Sequence, residues 1–546
     1  MRNNVPADTL IWFNAMLWNI PRIIISGMAG GCGKTFVSVG VASALKMRGL
    51  EVFPFKKGPD YIDSAWLSSA VERPCYNLDT FLMGEEGVKH SFEQHMGIDA
   101  VCNYCDDASC AKCDRLKEFI KNKIAIIEGN RGIFDGMDES GTYSTAELAK
   151  LLKTPVILVL DSTKSTRTLA AEVLGCQKMD GDVRIAGVIL NRIAGKRHEE
   201  IARTSIEKIC GVPVLGAIPK LESARFPERH LGLVTPAEYP EIKQAIKNAA
   251  EAAVSFIDIE RLLSLAASGK PLPMIKNNSH PAASHSIQKA KIGIIKDEAF
   301  SFYYPDNIEA LKAADSEIIE INSLKDAELP EIDALYIGGG FPETNAGRLA
   351  ANDSFRTSVK EAIESGLPVY AECGGAMYMG KSIQYKDKTY PMTGVLPVEF
   401  CFDKRPQGHG YTVVEVESEN PYFEVHSVIH GHEFHYSRAI NVESCDVRFI
   451  FKVHKGNGFN RTQDGISYKN LLAVYSHIHA AGTTQWANNF VRAAKAYAAG
   501  RDKANIRESK DTNRTAGHRG KTASCSPNRY ARLNDNNIEQ NCKFNI

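Results

Sequence analysis

PRIIISGMAGGCGKTFVSVGVASALKMRGLEVFPFKKGPDYID, residues 21–63, decides the fold. Ile23-Ile24-Ile25 reads as a buried parallel strand, a run apolar on both faces. A glycine-rich turn follows from Gly27 to Gly33, then Lys34, Thr35 and an amphipathic helical pattern. Strand, Gly-rich loop ending in Gly-Lys-Thr, and helix form a phosphate-binding loop in its proper context. Gly30, Gly31 and Gly33 let backbone N–H groups approach phosphate oxygens. Lys34 brings a point charge to the terminal phosphates, and the Thr35 hydroxyl can ligate Mg²⁺. The strict motif asks for glycine at position 28, where the chain has Met28; Gly27 lies one place earlier.

Outward from this loop, residues 21–250 alternate strand and helix patterns. The strands are expected at Arg22–Ser26, Glu51–Phe55, Ile124–Glu128, Val156–Asp161, Ile185–Asn191 and Val214–Ile218. That rhythm predicts a doubly wound, mostly parallel sheet with ligands at the carboxyl ends of its strands. Lys56, Lys57, Asp60, Glu128, Asp161 and Asn191 all fall at those ends. Asp60 and Asp63 stand three apart after one strand, and residues 128–138, EGNRGIFDGMD, add Glu128 and Asp135 after another. Acids beside a phosphate loop can hold Mg²⁺, orient an attacking group or bind a substrate cation; each taken singly could equally cap a helix.

A second α/β unit begins at Lys291, with strands expected at Lys291–Ile295, Ala334–Ile337 and Pro368–Ala371. Residues 367–375, LPVYAECGG, put Cys373 at a strand's carboxyl end before two glycines and a helical stretch, the layout of a nucleophile elbow. Such a cysteine needs a base, and Val474-Tyr475-Ser476-His477-Ile478-His479 offers two histidines about a hundred residues on. Ile337-Gly338-Gly339-Gly340 could supply an oxyanion N–H. His432 and His435 would suit a metal pair on a helix, but their surroundings read as strand and turn, which favours a structural or substrate-contacting role.

Four cysteines, Cys102, Cys105, Cys110 and Cys113, are spaced C-x2-C-x4-C-x2-C. Paired knuckles suit a tetrahedral thiolate site, structural Zn²⁺ first and an iron–sulfur cluster second. A cysteine-rich loop without metal is the plain alternative. Residues 1–20 read as an N-terminal extension. Residues 251–290, which include GKPLPMIKNNSHPAASHSIQ, read as a linker, and 501–546 as a polar, disordered tail.

Bulk properties set the outer bounds. A length of 546 residues gives room for roughly three or four domains, or two large ones. Lys and Arg together number 65, as do Asp and Glu, so neither nucleic acid nor a membrane surface is advertised as a partner. No apolar run reaches the roughly 18–20 residues of a membrane span, and a cytoplasmic location is the default expectation. Thirteen cysteines in so long a chain do not suggest a secreted disulfide scaffold.

Taken in order, Gly33-Lys34-Thr35, the run Phe55 to Asp63, Arg73-Pro74-Cys75-Tyr76-Asn77-Leu78-Asp79, Glu128 to Gly136, Ile337 to Glu343, Cys373-Gly374-Gly375 and Gly431 to Ser437 resemble the cobyrinic acid a,c-diamide synthase family. The resemblance runs from about residue 21 to 495. It implies a dethiobiotin-synthetase-like ATP-binding domain over 21–250 and a class I-like glutamine amidotransferase domain over 291–500. It implies ATP and Mg²⁺ as cofactors, and glutamine and a tetrapyrrole polycarboxylate as substrates. The acetates at positions a and c would be amidated through a phosphorylated carboxylate. Cys373 would be the nucleophile and His477 its base, with His479 in reserve. Lys34, Thr35 and Asn191 would lie at the nucleotide, Thr35 and Glu128 at Mg²⁺, and Asp60, Asp63 and Asp135 in the synthetase site. Class I enzymes carry a glutamate two residues after the histidine. Here that residue is His479, so a Cys–His pair is expected rather than a triad. The close alternative keeps the chemistry and changes the tetrapyrrole to sirohydrochlorin, its nickel form or sirohaem. A phosphate-loop regulatory protein is the distant one, and Cys373 with His477 argues against it. A homodimer is one assembly open to the chain.

Overall fold

Runs such as Ile23-Ile24-Ile25 and Val156–Leu160 are buried on both faces, which only a sheet covered by helices on both sides provides. The computed structural model, which describes residues 17–97, 120–221, 226–229, 232–273, 289–440, 442 and 448–517, places them at the centre of such a sheet. Its strands are β1 (Arg22–Gly27), β2 (Glu51–Lys57), β3 (Tyr76–Leu78), β4 (Lys123–Glu128), β5 (Val156–Asp161), β6 (Ile185–Ile193) and β7 (Val214–Pro219). They lie in the order β3-β2-β4-β1-β5-β6-β7, and every pairing is parallel. All six expected strands are present; the short edge strand β3 is an addition. The phosphate loop leaves β1 at the centre of the sheet and enters α1 (Lys34–Met47). Helix α2 (Tyr61–Val71) starts just after β2 and is capped by the Asp60 carboxylate, which accepts from the Ile62 and Asp63 N–H groups at 3.0 Å.

Two further helices, α3 (Ile242–Phe256) and α4 (Ile259–Ala267), pack back on this sheet. Gly40 of α1 approaches α3 so closely that a Cβ there would meet the Ala249 carbonyl oxygen at 2.4 Å. Helix α4 lies inside the stretch expected as linker. Its Leu262 is fully buried and its side chains have apolar partners in the sheet, so the linker reading is corrected over 259–267. Residues 274–288, and the Cys102, Cys105, Cys110 and Cys113 cluster, lie outside the described residues.

The second half builds a ten-stranded mixed sheet. Its strands are β8 (Ala290–Ile295), β9 (Ser316–Ile321), β10 (Ala334–Ile337), β11 (Val369–Glu372), β12 (Gly408–Val416), β13 (Val428–His435), β14 (Arg448–Lys455), β15 (Gln463–Tyr468), β16 (Leu471–Val474) and β17 (His477–Ile478). The order is β9-β8-β10-β11-β16-β15-β14-β12-β13-β17, parallel from β9 to β16 and antiparallel beyond. Helix α5 (Gly374–Met379) leaves β11 through Cys373. Helix α6 (Gln485–Gly517) buries Trp486, Phe490 and Ala494. It also carries 501–517, expected to lack structure, as helix. Extending a nucleated helix adds one hydrogen bond per residue, which Ala, Arg, Lys and Glu sustain.

Both sheets belong to one compact unit ending at Tyr497. Contact between them is close: a Cβ on Gly482 would lie 1.7 Å from the Leu82 carbonyl oxygen. Tyr76 and His95 of the first half both reach Glu309 of the second, at 2.6 and 3.0 Å.

Candidate active sites facing one cavity

The phosphate loop owes its shape to contacts its sequence makes necessary. Gly33 has φ 94°, and a Cβ there would lie 2.2 Å from Asn191 Nδ2, which itself donates to the Cys32 carbonyl at 2.9 Å. Asn191 therefore props the loop from the end of β6. Gly27 stands where a Cβ would meet Cys32 Sγ at 2.3 Å, so the loop's first tight approach falls one residue earlier than the strict motif and leaves Met28 part-exposed. Gly30 and Gly31 line the same turn between β1 and α1. Lys34 is buried and its ammonium donates to the Ala29 carbonyl at 2.9 Å.

Beside the loop lies a buried ionic cluster. Thr35 Oγ1 donates to Glu128 Oε1 at 2.8 Å. Lys56, fully buried, donates to Glu128 at 3.1 Å, to Asp63 at 2.8 Å and to the Gly129 carbonyl at 3.1 Å, with Asp60 at 3.8 Å. Burial, then the nearby Asp63 charge, pushes the Asp60 carboxyl up to about 7. Burial pushes the Asp63 carboxyl the same way, but Lys56 outweighs it and holds the group below the usual range. Glu128 is raised by burial. Its Oε2 is buried without a hydrogen-bond partner, an arrangement that suits a hard cation between Glu128 and the Thr35 hydroxyl. Among the described residues no cluster of three or more His, Cys, Asp or Glu side chains is arranged to hold a metal by itself. Mg²⁺ ordinarily takes one or two carboxylates and completes its shell with phosphate and water, so the pair fits it. Asp135 accepts from the Gly132 N–H at 2.8 Å, within the loop after β4.

In the second half, Cys373 occupies a strained turn, φ 46° and ψ −99°, between β11 and α5. Its N–H donates to the Val474 carbonyl at 2.7 Å, which ties the elbow to the end of the neighbouring parallel strand β16. His477 follows that strand, so cysteine and histidine both come after the carboxyl ends of neighbouring parallel strands. Burial and the Glu343 carboxylate push the Cys373 thiol up, so a base is required to draw its proton. A Cβ on Gly374 would lie 3.1 Å from the Gly340 nitrogen, which puts the glycine run after β10 against the elbow.

A carboxylate stands beside the expected Cys–His pair. His477 Nδ1 shares a hydrogen bond with Glu372 Oε2 at 3.1 Å. Glu372 immediately precedes the cysteine and is fixed further by the Tyr336 hydroxyl at 3.2 Å. A carboxylate on Nδ1 selects the tautomer that leaves Nε2 free to accept a proton. His479 turns elsewhere, toward Asp306 at 3.4 Å. His432 and His435 lie on β13, where a separation of three sends side chains to opposite faces. His432 stacks on His477 at 5.0 Å, while His435 Nδ1 meets the Ser437 carbonyl at 2.7 Å.

A cavity of about 670 Å³ joins the two halves. Its walls include Asp60, Asn130 and Asp135 from the first half and His432, Glu433 and His477 from the second. Tyr61, the first residue of α2, packs edge-on to His477 at 5.4 Å and stacks on Phe302 at 5.1 Å. Sequence reasoning named Asp60 and His477 separately; neither Tyr61 nor Glu372 was singled out. The signals were there: Tyr61 inside KGPDYID, Glu372 beside the cysteine.

This pairing of a phosphate-loop domain with an amidotransferase-like elbow defines the class. Residues 23–234 match a family profile described as CobQ/CobB/MinD/ParA nucleotide binding domain, and residues 291–485 one described as CobB/CobQ-like glutamine amidotransferase domain. Over 476 residues the chain is 40% identical to a cobyrinate a,c-diamide synthase of Magnetococcus marinus, covering 86% of this chain and 97% of that relative. Synthases of the same name match at 37% identity, from Archaeoglobus fulgidus over 87% of this chain and 98% of the relative, and from Methanosarcina acetivorans over 88% and 97%. The chain belongs to the cobyrinate a,c-diamide synthase family. No helix among the described residues is long and apolar enough to cross a membrane.

Proposed function

We propose that this protein uses ATP and glutamine to amidate the a- and c-acetate carboxylates of cobyrinic acid. The observation that carries the reading is the single cavity bordered by Asp60 and Asp135 on one side and His477 on the other. Two chemistries that share an ammonia molecule need such an arrangement.

In the glutaminase half, His477 takes the Cys373 proton, and the sulfur attacks the glutamine carboxamide carbon. Glu372 holds the imidazole in the required tautomer. N–H groups of the elbow and of the adjacent glycine run stabilise the oxyanion. Collapse expels ammonia, His477 supplying the proton to the leaving nitrogen; water then cleaves the thioester to glutamate. In the synthetase half, Gly30, Gly31, Gly33 and Lys34 hold the ATP phosphates, with Asn191 supporting the loop. Thr35 and Glu128 would hold Mg²⁺, which supplies charge neutralisation at the transferring phosphate. Asp60, Asp63 and Asp135 orient the substrate. The substrate carboxylate displaces ADP from the γ-phosphate, and ammonia displaces phosphate from the acyl phosphate to give the amide. Lys56 bridges the carboxylates of Asp60, Asp63 and Glu128.

The test is a substrate panel read by mass spectrometry. Protein with ATP, Mg²⁺ and glutamine is offered cobyrinic acid, sirohydrochlorin and sirohaem separately. One or two carboxylate-to-amide steps on cobyrinic acid are expected. Conversion of sirohydrochlorin or sirohaem alone would overturn the substrate and keep the chemistry.

A further inference from the structure

We infer that Arg131 and Lys455, one from each half of the chain, clamp the non-reacting carboxylates of the substrate across the mouth of the shared cavity. The inference rests on the reading above and goes beyond it by assigning recognition to two side chains outside the reacting groups. Both line the cavity. Among the described residues neither has a carboxylate within ion-pair distance, whereas Lys57, the third cation of the lining, is held by buried Asp79 at 3.5 Å. Arg131 is exposed and donates through Nη2 to His409 Nε2 at 3.0 Å. Burial, then Arg131 itself, holds that imidazole below its usual range, so the contact leaves the guanidinium's charge unspent.

Backbone strain supplies an independent sign. Arg131 has φ 48°, in the left-handed region that non-glycine residues avoid. In the loop Glu-Gly-Asn-Arg-Gly a glycine at this position would relieve the strain, yet a long cation stands there. Strain of this kind concentrates where a side chain must be aimed. Lys455 ends β14 on the opposite domain, half-buried, with its ammonium against Met137 Sδ at 2.7 Å. Met137 belongs to the loop that also carries Arg131 and Asp135, so the two cations flank one rim.

The rest of the lining fits the same ligand. Tyr61, Tyr143, Phe302, Tyr411 and Phe434 add aromatic, apolar surface to the wall that a macrocycle would meet. Arginine pairs with carboxylate in a two-pronged fashion, and lysine as a point charge. A polycarboxylate held at its periphery by both domains would turn one acetate at a time toward the acids of α2.

The experiment measures equilibrium binding of cobyrinic acid by its absorption change, with Arg131→Gln, Arg131→Lys, Lys455→Met and the unaltered protein. Kd should rise about tenfold or more in Arg131→Gln and Lys455→Met and recover most of the way in Arg131→Lys. The salt dependence of Kd should weaken in each neutral variant. Glutamine hydrolysis and the KM for ATP should stay within about twofold. Unchanged Kd and salt dependence in both neutral variants would overturn the clamp while leaving the proposed function standing. An unaltered protein that binds no cobyrinic acid would overturn both.

Discussion

At the scale of single residues, the decisive group is Glu372. Cys373 stands out in the sequence because it lies between a strand and two glycines, and His477 because a strand-like segment ends in it and His479. The carboxylate behind the histidine was not legible. Two residues after His477 the sequence has His479, while the structure supplies the carboxylate from a residue 105 positions earlier. That contact exists only because β11 and β16 are neighbours, a fact of strand order rather than local pattern. Glu372→Gln should lower glutamine-dependent amidation by about 10²-fold or more, since an amide no longer selects the Nδ1–H tautomer. Amidation with ammonium chloride as the nitrogen source should persist. Steady-state kinetics with both nitrogen donors check this, and equal losses with both would show that Glu372 serves the fold instead.

At the scale of elements, a strand marks its own sequence more plainly than it marks its neighbours. Six parallel strands followed from apolar runs, because a strand buried on both faces leaves that mark in any context. Strand β3 escaped because Tyr-Asn-Leu is too short to carry a period, and α4 because it adjoins a Pro- and Ser-rich stretch. The glycine run after β10 was expected to serve the elbow, and its packing gives that expectation a test. A Cβ on Gly339 would meet His477 Cε1 at 2.6 Å and Nε2 at 3.2 Å. Gly339→Ala should therefore push the imidazole off its bond to Glu372 and cut glutaminase activity by about tenfold or more, with the melting temperature falling only a few degrees. Full glutaminase activity in a folded Gly339→Ala variant would show that His477 is not held where its role requires.

On the scale of the whole molecule, the shared cavity is the feature no motif announces. Asp60 and His477 are separated by most of the chain, and the packing of the two halves brings them to one cavity, with Tyr61 against His477. The account turns on ammonia passing from the glutaminase half, where His477 borders this cavity, to the activated carboxylate. The most direct measurement supplies glutamine labelled with ¹⁵N in its side-chain amide, together with excess unlabelled ammonium, and reads the isotope in the amidated product by mass spectrometry. The account predicts product amide carrying the glutamine label with little dilution. An isotope ratio equal to that of the mixed ammonia in solution would contradict it.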